Sequence, residues 1–255
     1  MPRLLRTPAI ALHSVPFAES SKVVTFFTRD FGKLNFLAKG ARRPRSKFGA
    51  ALETFTYAQL IIYKPEKPKL YILSDAEIIH SFPELLTTPE YYLIGSQIIE
   101  FVLKAVDFEE PNAKLFNLLL AVLFTLTKTQ SKAFLESLAL AFYLKAGSFL
   151  GYRPELNNCV ICRKSLSKFS RARPIFDKSL GGLLCPTCKT KTQNSWELTY
   201  DQLLHLKALL YLPLKMALTL EPKPELNNLI LQYLKHHFPK LDLKTECYFR
   251  WNNQA

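Results

Sequence analysis

The sequence has little glycine and none of the short motifs that mark common classes of enzyme. Eight glycines occur among 255 residues, and Gly32 and Lys33 are followed by Leu34, so no phosphate-binding loop of the form G-x-x-x-x-G-K-S/T is present. The metalloprotease pattern H-E-x-x-H and the hydrolase pattern G-x-S-x-G are also missing, and the five histidines are scattered. We therefore expect a protein that is not an enzyme.

Long hydrophobic runs are equally scarce. The most apolar stretch, from Leu115 to Leu126, is flanked by Lys114 and Lys128. It is shorter than the roughly 20 residues that a membrane-crossing helix needs. We expect no membrane partner and no signal peptide, and hence a protein of the reducing cytoplasm. In that compartment the five cysteines favour a metal site or free thiols over disulfides.

Acidic residues are outnumbered, and the formal net charge of +13 favours a polyanionic partner such as nucleic acid or an anionic membrane surface. Positive charge is densest in the segment KGARRPRSKFGAALE, which has no acidic residue before Glu53. Its five cations are Lys39, Arg42, Arg43, Arg45 and Lys47. A run of this kind is either a solvated loop or a phosphate-binding one, and the run alone does not separate the two readings.

The first eighty residues have the pattern of short strands separated by turns. Each predicted strand is rich in β-branched and aromatic residues. The five strands are predicted at Pro8–Val15, Lys22–Asp30, Lys33–Gly40, Tyr57–Lys64 and Lys69–Ile79. Five short strands in this length predict a small barrel, and the OB-fold is the natural candidate because it has five strands and commonly binds nucleic acid.

After residue 82 the apolar residues recur at helical spacing. Helices are predicted at 91–108, 113–128, 131–152, 201–212 and 224–238. We expect these helices to form one bundle. The predicted fold is therefore α+β and multidomain, with an OB-fold barrel in residues 1–82 and a helical domain in residues 83–255. A cysteine-bearing insert interrupts that helical domain at about residues 153–195.

Two C-x-x-C pairs in the insert predict a metal site. Cys159 and Cys162 form the first pair, and Cys185 and Cys188 form the second. Each pair lets two thiolates reach one ion, and two pairs give the four soft ligands of a tetrahedral Zn²⁺. We expect one structural zinc, because four thiolates leave no open position for a reactive water. Redox chemistry or free thiols are the alternatives.

Four cations of the insert and a fifth cysteine have less definite roles. The cations between the two C-x-x-C pairs either touch phosphate or only solvate an exposed loop, and the two interpretations are equally open. These cations are Lys164, Lys168, Arg171 and Arg173. Cys247 lies far from the two pairs in sequence and is interpreted as a buried free thiol.

The run from Glu19 to Lys64 resembles the N-terminal domain of RecO, a bacterial family of recombination mediators. The resemblance rests on the entry ESSK into an aromatic strand, on a hairpin of the form R-D/E-F/Y-G-K, and on KGARR followed by a basic loop and Phe-Gly. GYRPELNNCVIC and GGLLCPTC are similar to that family's two zinc knuckles.

The resemblance implies a DNA repair and recombination protein that binds single- and double-stranded DNA. Family members anneal complementary strands coated with single-strand binding protein (SSB), whose acidic tail they contact, and with RecR they help load RecA in the RecF pathway. It also implies a protein of the bacterial cytoplasm, associated with the nucleoid.

On an OB barrel, the basic run joins strands three and four beside the face where nucleic acid usually lies. The expected DNA-binding cations are Lys22, Arg29, Lys33, Lys39, Arg42, Arg43, Arg45 and Lys47. Phe26, Phe36 and Phe48 are candidate platforms for base stacking, although strand alternation makes core positions at least as good a reading for the first two.

Three other functions remain open from the sequence. An RNA-binding OB and zinc protein in RNA processing explains charge, barrel and cysteines equally well. A zinc-dependent nuclease requires an open metal site or clustered carboxylates, which the sequence does not show. A scaffold protein would bind DNA only incidentally.

Overall fold

The structure is a computed structural model that describes residues 3–64, 70–129, 131–166, 173–189 and 194–246. Two compact units are distinguished. The first comprises residues 1–127 and 243–255, and the second comprises residues 128–242.

A closed five-stranded barrel begins the first unit and confirms the predicted OB-like fold. Its strands are β1 (Arg3–Phe17), β2 (Ser21–Thr28), β3 (Gly32–Ala38), β4 (Tyr57–Lys64) and β5 (Tyr71–His80). They follow one another around the barrel in the order β1-β2-β3-β5-β4. Only the β3–β5 pairing is parallel, and β1 is long because it pairs with β4 along its first half and with β2 along its second.

Alternation along the strands decides which side chains fill the barrel. Val24 and Phe26 of β2 and Phe36 of β3 are completely buried. The rings of Phe26 and Phe36 meet edge to face, with their centroids 5.8 Å apart. The intervening residues Val23 and Leu37 face outward and are half-buried. An aromatic pair therefore lies within a barrel core that is otherwise mostly aliphatic.

Helices occur at the five predicted places, and a further four-residue helix, Glu84–Thr87, was not predicted. They are α1 (Glu84–Thr87), α2 (Pro89–Ala105), α3 (Ala113–Leu126), α4 (Lys132–Phe149), α5 (Tyr200–Tyr211) and α6 (Glu225–His237). The start of α3 is fixed by the Asn112 side chain, which accepts a hydrogen bond from the Leu115 N–H. Thr199 and Gln202 form a reciprocal capping box at the start of α5.

The five long helices are divided between the two units. Helices α2 and α3 belong to the unit that contains the barrel, whereas α4, α5 and α6 belong to the second unit, together with the cysteine insert. The expectation that these helices form one bundle stays a prediction. The domain boundary expected at residue 82 stays a prediction. Within the described residues, none of the helices combines the length and apolar character that crossing a membrane requires.

The insert contains a small antiparallel sheet of strands β6 (Ile175–Asp177), β7 (Gly182–Leu184) and β8 (Ser195–Glu197), with β6 in the centre. Gly181 has φ of +70° and ends the turn between β6 and β7, a conformation that suits glycine. Gly181 therefore closes the hairpin turn that joins β6 and β7.

Gly32, at the start of β3, gives a test of the barrel. Its φ is +71°, and a Cβ at this position would overlap the backbone carbonyl of Glu110. We expect Gly32→Ala to lower the free energy of unfolding by roughly 2–5 kcal/mol, because left-handed strain and overpacking add. Gly49 has φ of +48° with no atom near its would-be Cβ, so Gly49→Ala should cost only roughly 1–2 kcal/mol. Urea denaturation measures both, and equal losses would contradict the contact with Glu110.

Candidate nucleic-acid interface and metal centre

The basic loop, residues 39–48, leaves the end of β3 and is held to the barrel at several points. Its last residue, Phe48, is 3% exposed and belongs to the barrel core. Near its start, the Arg42 N–H donates to the carbonyl of Ser20 (2.9 Å), and the Arg42 guanidinium donates to the carbonyl of Ala18 (3.1 Å). The loop is therefore anchored against the turn that joins β1 and β2.

The five loop cations fall into two groups. Arg42 has the Ala18 carbonyl as a partner, and the Lys47 ammonium donates to the carbonyl of Ser74. Lys39, Arg43 and Arg45 are exposed, and among the described residues their side chains have no ion pair or hydrogen bond. Three unpaired cations on one anchored loop repel one another, so a bound polyanion would relieve that repulsion.

Lys22 lies at the same end of the barrel, because it pairs across the β2–β3 ladder with Ala38, the residue before the loop. Its ammonium forms a 2.9 Å ion pair with Glu53, and the two side chains are 25% and 52% exposed. Glu53 thus neutralises part of the charge that the sequence assigned to binding. Lys22 contributes less free positive charge than Lys39 does.

Arg29 and Lys33 are not brought to the loop. They lie at the other end of the β2–β3 hairpin, next to the Thr28–Gly32 pair. That pair is six residues along β2 from Lys22, a distance of about 20 Å at roughly 3.3 Å per residue. Arg29 is exposed and has no ion pair or hydrogen bond from its side chain within the described part of the chain.

Lys33 does not belong with the predicted DNA-binding cations, because its side chain is buried. It is 4% exposed, its ammonium donates to the carbonyl of Leu103 at 2.6 Å, and it lies 4.5 Å from the centroid of the Phe108 ring. Leu103 belongs to the last turn of α2, where backbone carbonyls have no partner within the helix. The lysine therefore stabilises the C-terminus of α2 and offers no charge to a ligand.

The three predicted stacking rings are also in the core. Phe26 and Phe36 have no exposed surface, and Phe48 is 3% exposed. A base stacks only on a ring face that it can reach, so none of the three is a platform in this structure. Phe17, at the end of β1, is exposed and precedes Ala18, whose carbonyl accepts from Arg42 of the loop; the sequence analysis did not single it out. The sequence feature that could have indicated Phe17 was its position just before the turn between β1 and β2.

The four predicted cysteines come together in the second unit. The sulfur atoms of Cys159, Cys162, Cys185 and Cys188 all lie within 4.8 Å of one another. The first knuckle is tied to the β6–β7 hairpin, because the Val160 N–H donates to the carbonyl of Leu183 at 2.9 Å. Gly182 makes this approach possible, since a Cβ there would lie 2.6 Å from the Val160 side chain.

Hydrogen bonds prepare two of these thiols to ionise. Burial opposes ionisation of Cys159, yet donation from the backbone N–H groups of Cys162, Cys185 and Ile161 lowers its pKa to about 6. Burial also opposes ionisation of Cys185, but donation from the Cys188 backbone lowers the Cys185 pKa as well. A hydrogen bond to Cys185 raises the pKa of Cys188 to about 12. Thiolates are the form that binds a metal ion.

The donor set fits one soft divalent ion. Three of the four cysteines are buried, and Cys162 is exposed at the surface. Four sulfur ligands complete a tetrahedral shell and leave no position for water. Of the cations between the knuckles, Lys164 and Arg173 are exposed. The predictions for Lys168, Arg171 and Cys247 lie outside the described residues.

Comparison with known proteins decides the family. A model described as recombination protein O N terminal matches residues 1–82, and one described as recombination protein O C terminal matches residues 86–246. The DNA repair protein RecO of Pelotomaculum thermopropionicum is 32% identical over 258 residues, covering 99% of this chain and 96% of that protein. This chain belongs to the RecO family.

Other RecO proteins show similar agreement. The DNA repair protein RecO of Caldanaerobacter subterraneus subsp. tengcongensis is 32% identical over 254 residues, which cover 96% of each chain. That of Thermodesulfovibrio yellowstonii is 32% identical over 184 residues, which cover 72% of this chain and 70% of the relative. The resemblance inferred from sequence motifs is confirmed, and RecO membership supports a role in DNA repair and recombination.

The structural role of Lys33 is testable by Lys33→Met, which keeps the aliphatic stem and removes the charge. We expect this RecO variant to lose roughly 1–3 kcal/mol of unfolding free energy, because the Leu103 carbonyl loses its charged donor. The salt dependence of DNA binding should stay unchanged. Denaturation and a salt titration of affinity measure the two effects, and a shallower salt dependence with unaltered stability would reverse the assignment.

The cysteine cluster is testable by Cys159→Ser. We expect the purified parent to contain about one metal ion per chain and the variant to contain almost none, because three thiols and a hydroxyl bind Zn²⁺ far more weakly. Elemental analysis measures the stoichiometry. Cys247→Ser is the matched control and should keep the metal. Full metal content in Cys159→Ser would refute the four-thiolate site.

Proposed function

We propose that this RecO protein is a non-catalytic recombination mediator that binds single- and double-stranded DNA through its basic loop. The observation that supports this most directly is the group of unpaired, exposed cations Lys39, Arg43 and Arg45 on a loop anchored to an OB-like barrel. Family membership supports DNA over other polyanions.

Binding works through phosphates. Each free cation neutralises a phosphate and releases condensed counterions, so affinity falls as salt rises. Cations that bind only phosphates carry no sequence readout, because backbone contacts position a nucleic acid without reading its bases. The hydrogen bonds of Arg42 fix the loop before DNA arrives, which lowers the entropy cost of binding.

Annealing follows from the same charges. Two DNA strands repel each other through their phosphates, and a protein that screens both backbones without selecting bases leaves the bases free to pair. We propose that the protein anneals complementary strands coated with SSB, contacts the acidic SSB tail, and acts with RecR to help load RecA in the RecF pathway. This work takes place in the bacterial cytoplasm, at the nucleoid.

We also propose that Cys159, Cys162, Cys185 and Cys188 hold one structural Zn²⁺. The chemistry of the four thiols supports zinc. When bound, the ion joins the two knuckles by metal–sulfur bonds. The chain itself positions the thiols through the backbone hydrogen bond from Val160 of the first knuckle to Leu183 of β7.

The charge reversal Arg43→Glu with Arg45→Glu tests the proposed function. We expect the parent to accelerate annealing of SSB-coated complementary strands, with an effect that declines as salt rises. The variant should lose that acceleration, and its affinity for single-stranded DNA should depend on salt with a slope smaller by about 1.4, roughly 0.7 for each lost phosphate contact.

The matched control is Lys114→Glu with Lys215→Glu, which changes the net charge equally at two exposed positions away from the loop in sequence. It should anneal like the parent. Loss of annealing in both double variants would show that total charge matters and the loop does not. Failure of the parent to anneal, together with tighter binding to structured RNA than to DNA, would favour an RNA-binding function.

A further inference from the structure

The four cysteines of the metal centre differ in how accessible they are. Cys159 has no exposed surface. Cys185 and Cys188 are 2% and 6% exposed. Cys162, in contrast, is exposed, because every residue of the segment 161–165 lies at the surface. A small reagent in solution therefore reaches the cluster at Cys162.

Cys162 also contacts a cysteine of the other knuckle. Its Sγ atom lies 3.7 Å from the Sγ atom of Cys185, which is 23 residues further along the chain. Cys185 belongs to a buried apolar cluster with Ile175 and Leu184, so it has little direct contact with solvent. Cysteines that sense oxidants are typically accessible and lie next to a second cysteine that resolves the first oxidation product.

The backbone around Cys162 is fixed, and its neighbours are positively charged. The Arg163 N–H donates to the carbonyl of Cys159, and the Cys159 N–H donates to the carbonyl of Lys164, both at 2.9 Å. The side chains of Arg163 and Lys164 are exposed beside the thiol. Reactive cysteines are found in electropositive and partly exposed surroundings of this kind.

We propose that Cys162 is a site of oxidation by hydroperoxides and that its oxidation leads to a disulfide with Cys185. The inference rests on the proposed metal site, because a bound metal ion keeps its cysteine ligands as thiolates, which are the nucleophilic form. Hydroperoxides fit because they are small electrophiles that need only an accessible sulfur and no binding pocket.

The reaction balances in two steps. The Cys162 thiolate attacks one oxygen of hydrogen peroxide, the O–O bond breaks, and hydroxide leaves while the sulfur becomes a sulfenic acid. The Cys185 thiolate then attacks that sulfur, an S–S bond forms, and a second hydroxide leaves. The two sulfurs together lose two electrons to the peroxide, and two protons from solvent convert both hydroxides to water.

Disulfide formation removes two of the four metal ligands. The remaining thiols of Cys159 and Cys188 hold Zn²⁺ far more weakly, so the metal is lost. The new S–S bond still joins the first knuckle to the second, at the point where Cys162 and Cys185 are in contact. Oxidation therefore replaces a metal link by a covalent one, and a thiol reductant supplied with Zn²⁺ reverses the change.

The experiment treats the full zinc-loaded chain with hydrogen peroxide in a Cys247→Ser background, which removes the fifth thiol. We expect the loss of about one Zn²⁺ per chain, followed with a chromogenic chelator. Mass spectrometry should find the tryptic peptide that ends at Arg163 joined to the one that ends at Lys189, through Cys162 and Cys185. In brief treatments dimedone, which alkylates sulfenic acids, should label Cys162 first.

Two histidine variants separate the roles of the cysteines. Cys162→His lacks the exposed thiol and should still bind Zn²⁺, because three cysteines and one histidine are an ordinary ligand set for structural zinc. It should retain its Zn²⁺ under the treatment that empties the parent. Cys188→His is the matched control, since it has the same ligand set and keeps both reacting thiols. It should lose Zn²⁺ and form the disulfide as the parent does.

Three results would overturn the proposed modification site. They are Zn²⁺ loss from Cys162→His as fast as from the parent, a first dimedone label on a buried cysteine of the parent, and a parent disulfide confined to the first knuckle. A purified parent that contains no metal yet forms the Cys162–Cys185 disulfide would refute the zinc site and support the modification site.

Discussion

Two hydrogen bonds from Arg42 hold the first part of the basic loop, and the position of its unpaired cations depends on them. One is a backbone contact to Ser20 and the other is a guanidinium contact to Ala18, so a single residue fixes both the path of the loop and the position of its own charge. Without this anchor, mutual repulsion would spread the cations apart. With it, the unpaired cations stay at the end of the barrel where the turn joins β1 and β2.

The metal centre is organised on the same principle. Its two C-x-x-C pairs are far apart in sequence, and the backbone hydrogen bond from Val160 to Leu183 of β7 helps to bring them together. The N–H groups that shape the first knuckle also stabilise the Cys159 thiolate. Local geometry therefore supplies the spacing of the ligands and favours the thiolate form of Cys159.

The fold could be predicted from the sequence wherever the signal was local. Alternation and helical spacing located all five strands and the five long helices, because those patterns record which side chains face a core. The start of β1 was placed at Pro8 and not at Arg3, since its first half is held by pairing with β4, more than fifty residues away. Division of the helices between two units likewise depends on contacts that no local pattern records.

The candidate sites show the same limit. Cysteine spacing indicated the metal cluster because the ligand pairs are themselves local. Among the cations, charge alone did not distinguish Arg43 from Lys33, whose carbonyl partner lies seventy residues further along the chain. Strand alternation correctly allowed that Phe26 and Phe36 lie in the core. Both rings are buried because the barrel closes around them.

The parallel pairing that closes the barrel has a consequence for motion. Strands β3 and β5 share only two registered pairs, Phe36–Tyr71 and Leu37–Ile72, whereas the antiparallel ladders are longer. Local opening favours the segment with the fewest interactions. We therefore expect the barrel to open first at the short pairing between β3 and β5. The strand that moves in this opening is β3, which ends at the basic loop. Opening of the β3–β5 pairing would therefore change the position of the basic loop.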